Sequence, residues 1–151
     1  MSVVTNRIAN LQAEMKKLGV DAVYVNSAEN HLYFSGFDNP DGYVVITFDK
    51  TYLFADSRYI EAAKAEADKS IVVCLPGQPT VKELVHDLGI KSIGYEDERM
   101  TCAGLEGLKR SVGDDKVEYK PMGGLFVEIR SYKTEDEVEN IVAAQRIAEG
   151  A

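Results

Sequence analysis

Val4, Ile8, Leu11, Met15 and Leu18 follow one another at spacings of three and four residues, which puts them on one face of a helix that Gly19 ends. A helix apolar on one side has to lie on a sheet or another helix, and the next run, Ala22 to Asn26 (AVYVN), reads as a buried strand. Then comes a polar stretch with a short apolar centre, SAENHLYFSGFDNPDG, rich in turn formers at its end. It predicts a short helix and an exposed loop.

The apolar runs Tyr43 to Phe48 and Thr51 to Ala55 are separated by Asp49 and Lys50, a connection short enough to force antiparallel pairing. Asp56 or Ser57 can cap a helix carrying Ile60, Ala63 and Ala67, and Ile71 to Leu75 supplies another strand that Pro76-Gly77 stops. Thr80 and Glu83 form a capping box ahead of Val81, Leu84, Val85 and Leu88. Ser92 to Tyr95 reads as a strand, Thr101 to Val112 as a helix with Leu105, Leu108 and Val112 inward, and Val117 to Tyr119 as a final short strand. Thr134 and Glu137 repeat the capping box and start a last helix, whose Val138, Ile141, Val142 and Ala148 form an apolar stripe that nothing in the remaining sequence covers; periodicity alone leaves open whether it folds back on this domain or packs against something else. The alternation of elements predicts an α/β fold, a mixed central β-sheet flanked by helices.

Composition narrows the function classes. With 151 residues, 45% of them hydrophobic, the chain suits one globular core that buries about 70% of the unfolded surface. A net charge of −8, with no free-standing Lys/Arg cluster, argues against nucleic acid as a partner. No apolar run approaches the length of a membrane span and the opening MSVVTNRIANLQ lacks a signal core, so no membrane association and a cytoplasmic location are expected. Cys74 and Cys102 lie far apart, outside any Cys-x-x-Cys arrangement, and are expected to be reduced, buried thiols.

Candidate chemistry is sparse. Metal-dependent hydrolysis needs several ligands converging on an open position, and the chain has only two histidines, His31 and His86. His86 reads as a solvated helical residue; His31, in the polar loop segment, reads as structural or surface-exposed. The acidic groups Glu96-Asp97-Glu98, Asp114-Asp115 and Glu135-Asp136-Glu137 read as solvated turns or helix starts. Neither a nucleophile elbow nor a phosphate-binding glycine pattern occurs, and Gly104/Gly107 and Gly123-Gly124 fit packing or turns. In Asp56-Ser57-Arg58-Tyr59, a strand-end carboxylate beside a guanidinium can clamp a loop through charge-assisted hydrogen bonds.

Taken in order, Asn30 to Phe37 (NHLYFSGF), Gly42 to Ile46 (GYVVI) and Asp56 to Tyr59 (DSRY) resemble the creatinase/prolidase amino-terminal domain family. Gly19 to Ala22, Ile93 to Glu96 and Arg130 to Glu137 extend the likeness over nearly the whole chain. The resemblance implies a ribonuclease H-like three-layer architecture for residues 1–130 and a linker helix in residues 131–151 leading toward a catalytic domain absent from this chain. The family commonly has an Arg or similar residue where this chain has His31, and no catalytic role passes to that position.

As the resemblance implies it, the parent is an Xaa-Pro aminopeptidase or prolidase, a metallopeptidase with two divalent metal ions (manganese, cobalt or zinc) in a carboxy-terminal pita-bread domain. This chain alone is expected to hold no catalytic residue, cofactor or metal. It would support a homodimer and help wall a cleft for proline-containing peptides. His31, Phe37, Asp38 and Asn39 are the candidates for cleft or interface contacts, the loop Phe37 to Gly42 being placed to project from the sheet; Asp56, Arg58 and Tyr59 form the structural motif. Two other readings compete: a free-standing peptide- or protein-binding module without activity, and a small α/β enzyme using Asp56, Arg58 and Glu96.

Overall fold

The computed structural model describes residues 2–38 and 41–150. The opening helix, α1 (Val3–Leu18), starts on the hydroxyl of Ser2 and ends at Gly19, whose left-handed φ of 63° is the conformation glycine adopts without a Cβ penalty. It is followed by β1 (Ala22–Val25), α2 (Ala28–Ser35), β2 (Tyr43–Thr47), β3 (Thr51–Phe54), α3 (Ile60–Glu66) and β4 (Ile71–Cys74). Then come α4 (Val81–Asp87), β5 (Ser92–Tyr95), α5 (Cys102–Val112), β6 (Glu118–Pro121), α6 (Leu125–Ser131) and α7 (Glu135–Glu149).

The strands form one six-stranded sheet in the order β4-β3-β2-β1-β5-β6. β2 runs antiparallel to both β1 and β3, while β1 with β5, β3 with β4 and β5 with β6 are parallel. All strands but β2 therefore share one direction. Alternation along each strand then sends side chains to two separate cores. Val23, Val25, Val44, Ile46 and Leu53 meet Leu11 and Met15 of α1, Phe34 of α2, Ala63 of α3 and Phe126 of α6 on one face. On the other, Ala22 and Ile93 meet Val81 and Val85 of α4 and Leu108 and Val112 of α5, and Val45, Tyr52, Phe54 and Cys74 meet Leu84. This is the mixed sheet flanked by helices that the alternation of elements predicts, in the three-layer form that the family resemblance implies.

Four local expectations are corrected. The helix after β3 is capped by neither Asp56 nor Ser57: it starts at Ile60 behind Tyr59, without a side-chain cap, because the Asp56 carboxylate is turned to the Arg58 amide and guanidinium. The last strand is Glu118–Pro121 rather than Val117 to Tyr119, since pairing with β5 begins at Ser92↔Glu118 and leaves Val117 as a buried residue ahead of it. Helix α6 was not predicted at all; one buried residue, Phe126, is too short a periodic signal. Cys74 is buried, but Cys102, in the first turn of α5, is exposed.

Of the glycines given a Cβ, Gly94, where β5 meets the segment after β6, stands in the tightest surroundings. A Cβ built on Gly94 would stand 2.5 Å from the Met122 sulfur and 3.2 Å from Val20, whereas one on Gly107 in α5 would meet nothing within 4 Å. In urea titrations Gly94→Ala is expected to lose about 1–3 kcal/mol by overpacking, and Gly107→Ala to gain up to about 1 kcal/mol through helix propensity. Equal effects at the two positions would contradict this packing.

Candidate functional site

The shared strand direction gathers the sequence-predicted residues at one edge of the sheet. The carboxyl ends of β1, β3 and β5 lie there together with the segment entering β2. After β1 the chain turns into α2 on one face, and after β5 it turns into α5 on the other. A divergence of that kind opens a crevice outside the carboxyl ends of two adjacent parallel strands.

Here the crevice is filled by the protein itself. Glu96, just past β5, is only 2% exposed. Its Oε2 accepts hydrogen bonds from the backbone N–H groups of Asn26 (2.6 Å) and Ser27 (2.9 Å), and its Oε1 accepts from the Ser27 hydroxyl (2.5 Å) and the Asn30 side-chain amide (2.5 Å). Asn30 in turn accepts from Arg130 of α6 at 3.3 Å. Glu96 is therefore not part of a solvated turn: a carboxylate is tolerated in the interior because donors surround it. The signal for it in the sequence was its place directly after a parallel strand, at a switch point that only the strand order reveals.

His31 does not lie in a loop. It sits in the middle of α2, 1% exposed, with Nδ1 3.1 Å from the Phe37 carbonyl. That carbonyl can only accept, so Nδ1 carries the proton and Nε2 presents a lone pair, buried and without a hydrogen-bond partner. Burial pushes the imidazole below its ordinary pKa, opposed by the Phe37 carbonyl and by the negative charges of Asp38 and Glu96. Ser35 closes the turn: its hydroxyl donates to the His31 carbonyl and lies 3.2 Å from the Phe37 carbonyl, and it accepts from the Phe37 N–H. Phe37 itself is packed into the core at 4% exposure. Of the four cleft or interface candidates, the His31 and Phe37 side chains thus face inward, Asp38 is exposed, and Asn39 lies outside the described residues.

Asp56 and Arg58 form the clamp expected of them. The Arg58 guanidinium reaches Asp56 Oδ2 at 2.6 Å and Asp41 Oδ2 at 2.9 Å, tying the turn after β3 to the segment ahead of β2, and stands 5.3 Å over the Tyr59 ring. Hydrogen bonds from Arg58 hold the half-buried Asp56 carboxyl below the usual range. Asp41 was not singled out from the sequence, where nothing marks it as a partner of a residue 17 positions away.

Among the described residues no group of three or more His, Cys, Asp or Glu side chains is arranged to hold a metal ion. A cleft of about 820 Å³ lies at the opposite edge, rimmed by Lys82, Lys91 and Lys116 near the carboxyl ends of α1, α4 and α5. The negative ends of the helix dipoles are sufficient reason for lysines there. Among the described residues no helix is long and apolar enough to cross a membrane.

A three-layer domain with a mixed sheet, an internally satisfied switch-point crevice and a clamped loop is the class these features define. The sequence model of the Creatinase/Prolidase N-terminal domain matches residues 7–132, and the chain belongs to that family. The Bacillus subtilis (strain 168) peptidase YqhT is 27% identical over 147 residues, covering 96% of this chain and 41% of that protein. The prolidase of Pyrococcus horikoshii OT3 superposes with a TM-score of 0.79 at 26% identity, over 96% of this chain and 40% of its own. The X-Pro aminopeptidase of Thermotoga maritima MSB8 does so with a TM-score of 0.78 at 26% identity, over 87% of this chain and 38% of its own. The chain thus spans less than half the length of each of these relatives.

The environment of His31 sets a pH dependence. In the unfolded chain the imidazole takes up a proton near its ordinary value of about 6.5; in the folded protein it does so only at lower pH. The folded state therefore binds fewer protons just below that value, and stability falls as pH drops below about 6.5, by at most about 1.4 kcal/mol per pH unit. Urea titrations between pH 7 and 5.5 should show this slope flattened in His31→Gln. An unchanged slope in that variant would place the acid sensitivity elsewhere.

Proposed function

We propose that this chain is the amino-terminal, non-catalytic part of an Xaa-Pro-specific metallopeptidase, an aminopeptidase or a prolidase. The observation that carries this reading is the family match over residues 7–132: it ends just ahead of α7, whose Val138, Ile141 and Val142 remain 48%, 51% and 39% exposed. An apolar helical stripe left in water by its own domain favours a covering partner. In this reading residues 1–130 form the domain and residues 131–151 lead into the metal-bearing domain, which lies outside this chain.

The same reading gives the carboxyl-end edge of the sheet the role of a wall. Asp38 and the clamped segment around Asp41 would face the substrate cleft of the parent, while buried His31 and Phe37 would shape that wall from inside. The parent would cleave proline-containing peptides with two divalent metal ions, manganese, cobalt or zinc. It would act as a homodimer in the cytoplasm, this domain contributing to subunit contacts.

The purified chain is expected to hydrolyse no Xaa-Pro dipeptide or tripeptide in the presence of manganese, cobalt or zinc, whereas the longer protein that contains it should do so. Metal-dependent turnover by the chain alone would overturn the assignment. Calorimetric titration of the chain with proline-containing peptides separates this reading from an independent peptide-binding module, which requires saturable binding at submillimolar concentration.

A further inference from the structure

Helix α7 is attached to the domain in an unusual way. Fifteen residues long, it buries none of its side chains, and Glu137 is the only residue in it that is not exposed. A helix that buries no side chain has little hydrophobic contact to fix its direction, so a polar contact can decide its orientation. Beyond its own capping residue, Glu137 is met by Arg7 of α1, with Nη2 2.7 Å from Glu137 Oε1.

Arg7 is itself held on three sides. Its Nη1 donates to the Tyr33 carbonyl near the end of α2 at 3.0 Å, its guanidinium lies 4.0 Å over the Tyr33 ring, and its side chain is only 16% exposed, against 29% for Glu137. An ion pair shielded to this degree is screened far less than one in open solvent, and the planar fork of arginine leaves little freedom in the direction it sets. Its Nε is buried without a partner, so the side chain is committed to the two contacts made by its terminal nitrogens.

Glu137 is also the residue that forms the helix start. Its Oε2 accepts from the Thr134 N–H at 2.8 Å and lies 3.2 Å from the Thr134 hydroxyl, completing the capping box. One oxygen begins the helix and the other docks it. Burial would raise the carboxyl's pKa, but the Thr134 and Arg7 donors outweigh it and hold the group ionised below the usual range.

We propose that the Arg7–Glu137 pair is a latch that sets the direction in which α7 leaves the domain, and through it the placement of the segment α7 leads into. The first half stands on this chain alone; the second rests on the reading given under Proposed function. Arg7 is a positioning residue in this account, tying α1, α2 and α7 at one point.

The test is a distance measurement across the latch. In a Cys102→Ser background, spin labels at Glu61→Cys on α3 and Ile147→Cys on α7 report the angle of α7 by pulsed dipolar spectroscopy. The parent is expected to give one narrow distance peak. Glu137→Gln keeps a side chain able to complete the capping box but removes the charge, so far-ultraviolet circular dichroism should keep the parent's helical signal while the narrow peak is lost to a broad distribution. Arg7→Gln should broaden it likewise. Should Arg7→Gln fail to fold, Glu137→Gln decides. A broad distribution in the parent, or a distribution unchanged in Glu137→Gln, overturns the proposal. Turnover of Xaa-Pro peptides by the chain would sink the functional reading and leave this result untouched.

Discussion

A single buried carboxylate fixes the arrangement of the carboxyl-end edge. Taking an ionised group out of water costs several kcal/mol unless hydrogen bonds replace its hydration, and Glu96 meets that cost with donors from Asn26, Ser27 and Asn30. Those donors come from the turn between β1 and α2 and from the first turn of α2 itself, so the carboxylate just past β5 also dictates where α2 begins. Asn30 passes the constraint to Arg130 of α6. At the far end of α2, Arg7 takes hold of the Tyr33 carbonyl. The helix that carries His31 and leads toward the β2 loop is therefore tethered at its start, its middle and its end.

This arrangement places an internally hydrogen-bonded carboxylate at the edge that serves as a ligand site in many α/β proteins. The crevice between β1 and β5 has an anion in it already, supplied by the chain. Exposed beyond it are Asp38 and the Arg58 clamp on Asp41. These are the groups that the proposed wall of a substrate cleft would use.

Much of the fold was legible because its elements announce themselves by period and punctuation. The 3–4 spacing from Val4 to Leu18, the capping boxes at Thr80 and Thr134 and the hairpin between Tyr43 and Ala55 all depend on neighbours in sequence, and all formed. The misses share a different cause. Glu96 reads as solvent-facing because two more acidic residues surround it on one side, yet its donors lie about 70 positions upstream. His31 reads as polar loop because its neighbours are polar, while its burial is decided by Phe34 and Phe37 packing against helices far away in sequence. Arg7 and Glu137 are 130 positions apart. Local pattern specifies the elements; the polar contacts that aim them are long-range and have no periodic signature.

The claim on which the account turns is that the Glu96 carboxylate, rather than water, satisfies the backbone amides of Asn26 and Ser27. Native-state hydrogen exchange followed residue by residue tests it directly. If it holds, these two amides exchange as slowly as those of the central strands β1 and β5, although they lie in a turn and Asn26 is exposed. Exchange at the rate of an open loop would mean that the carboxylate does not hold the turn, and the tethering of α2 would have to be explained in another way.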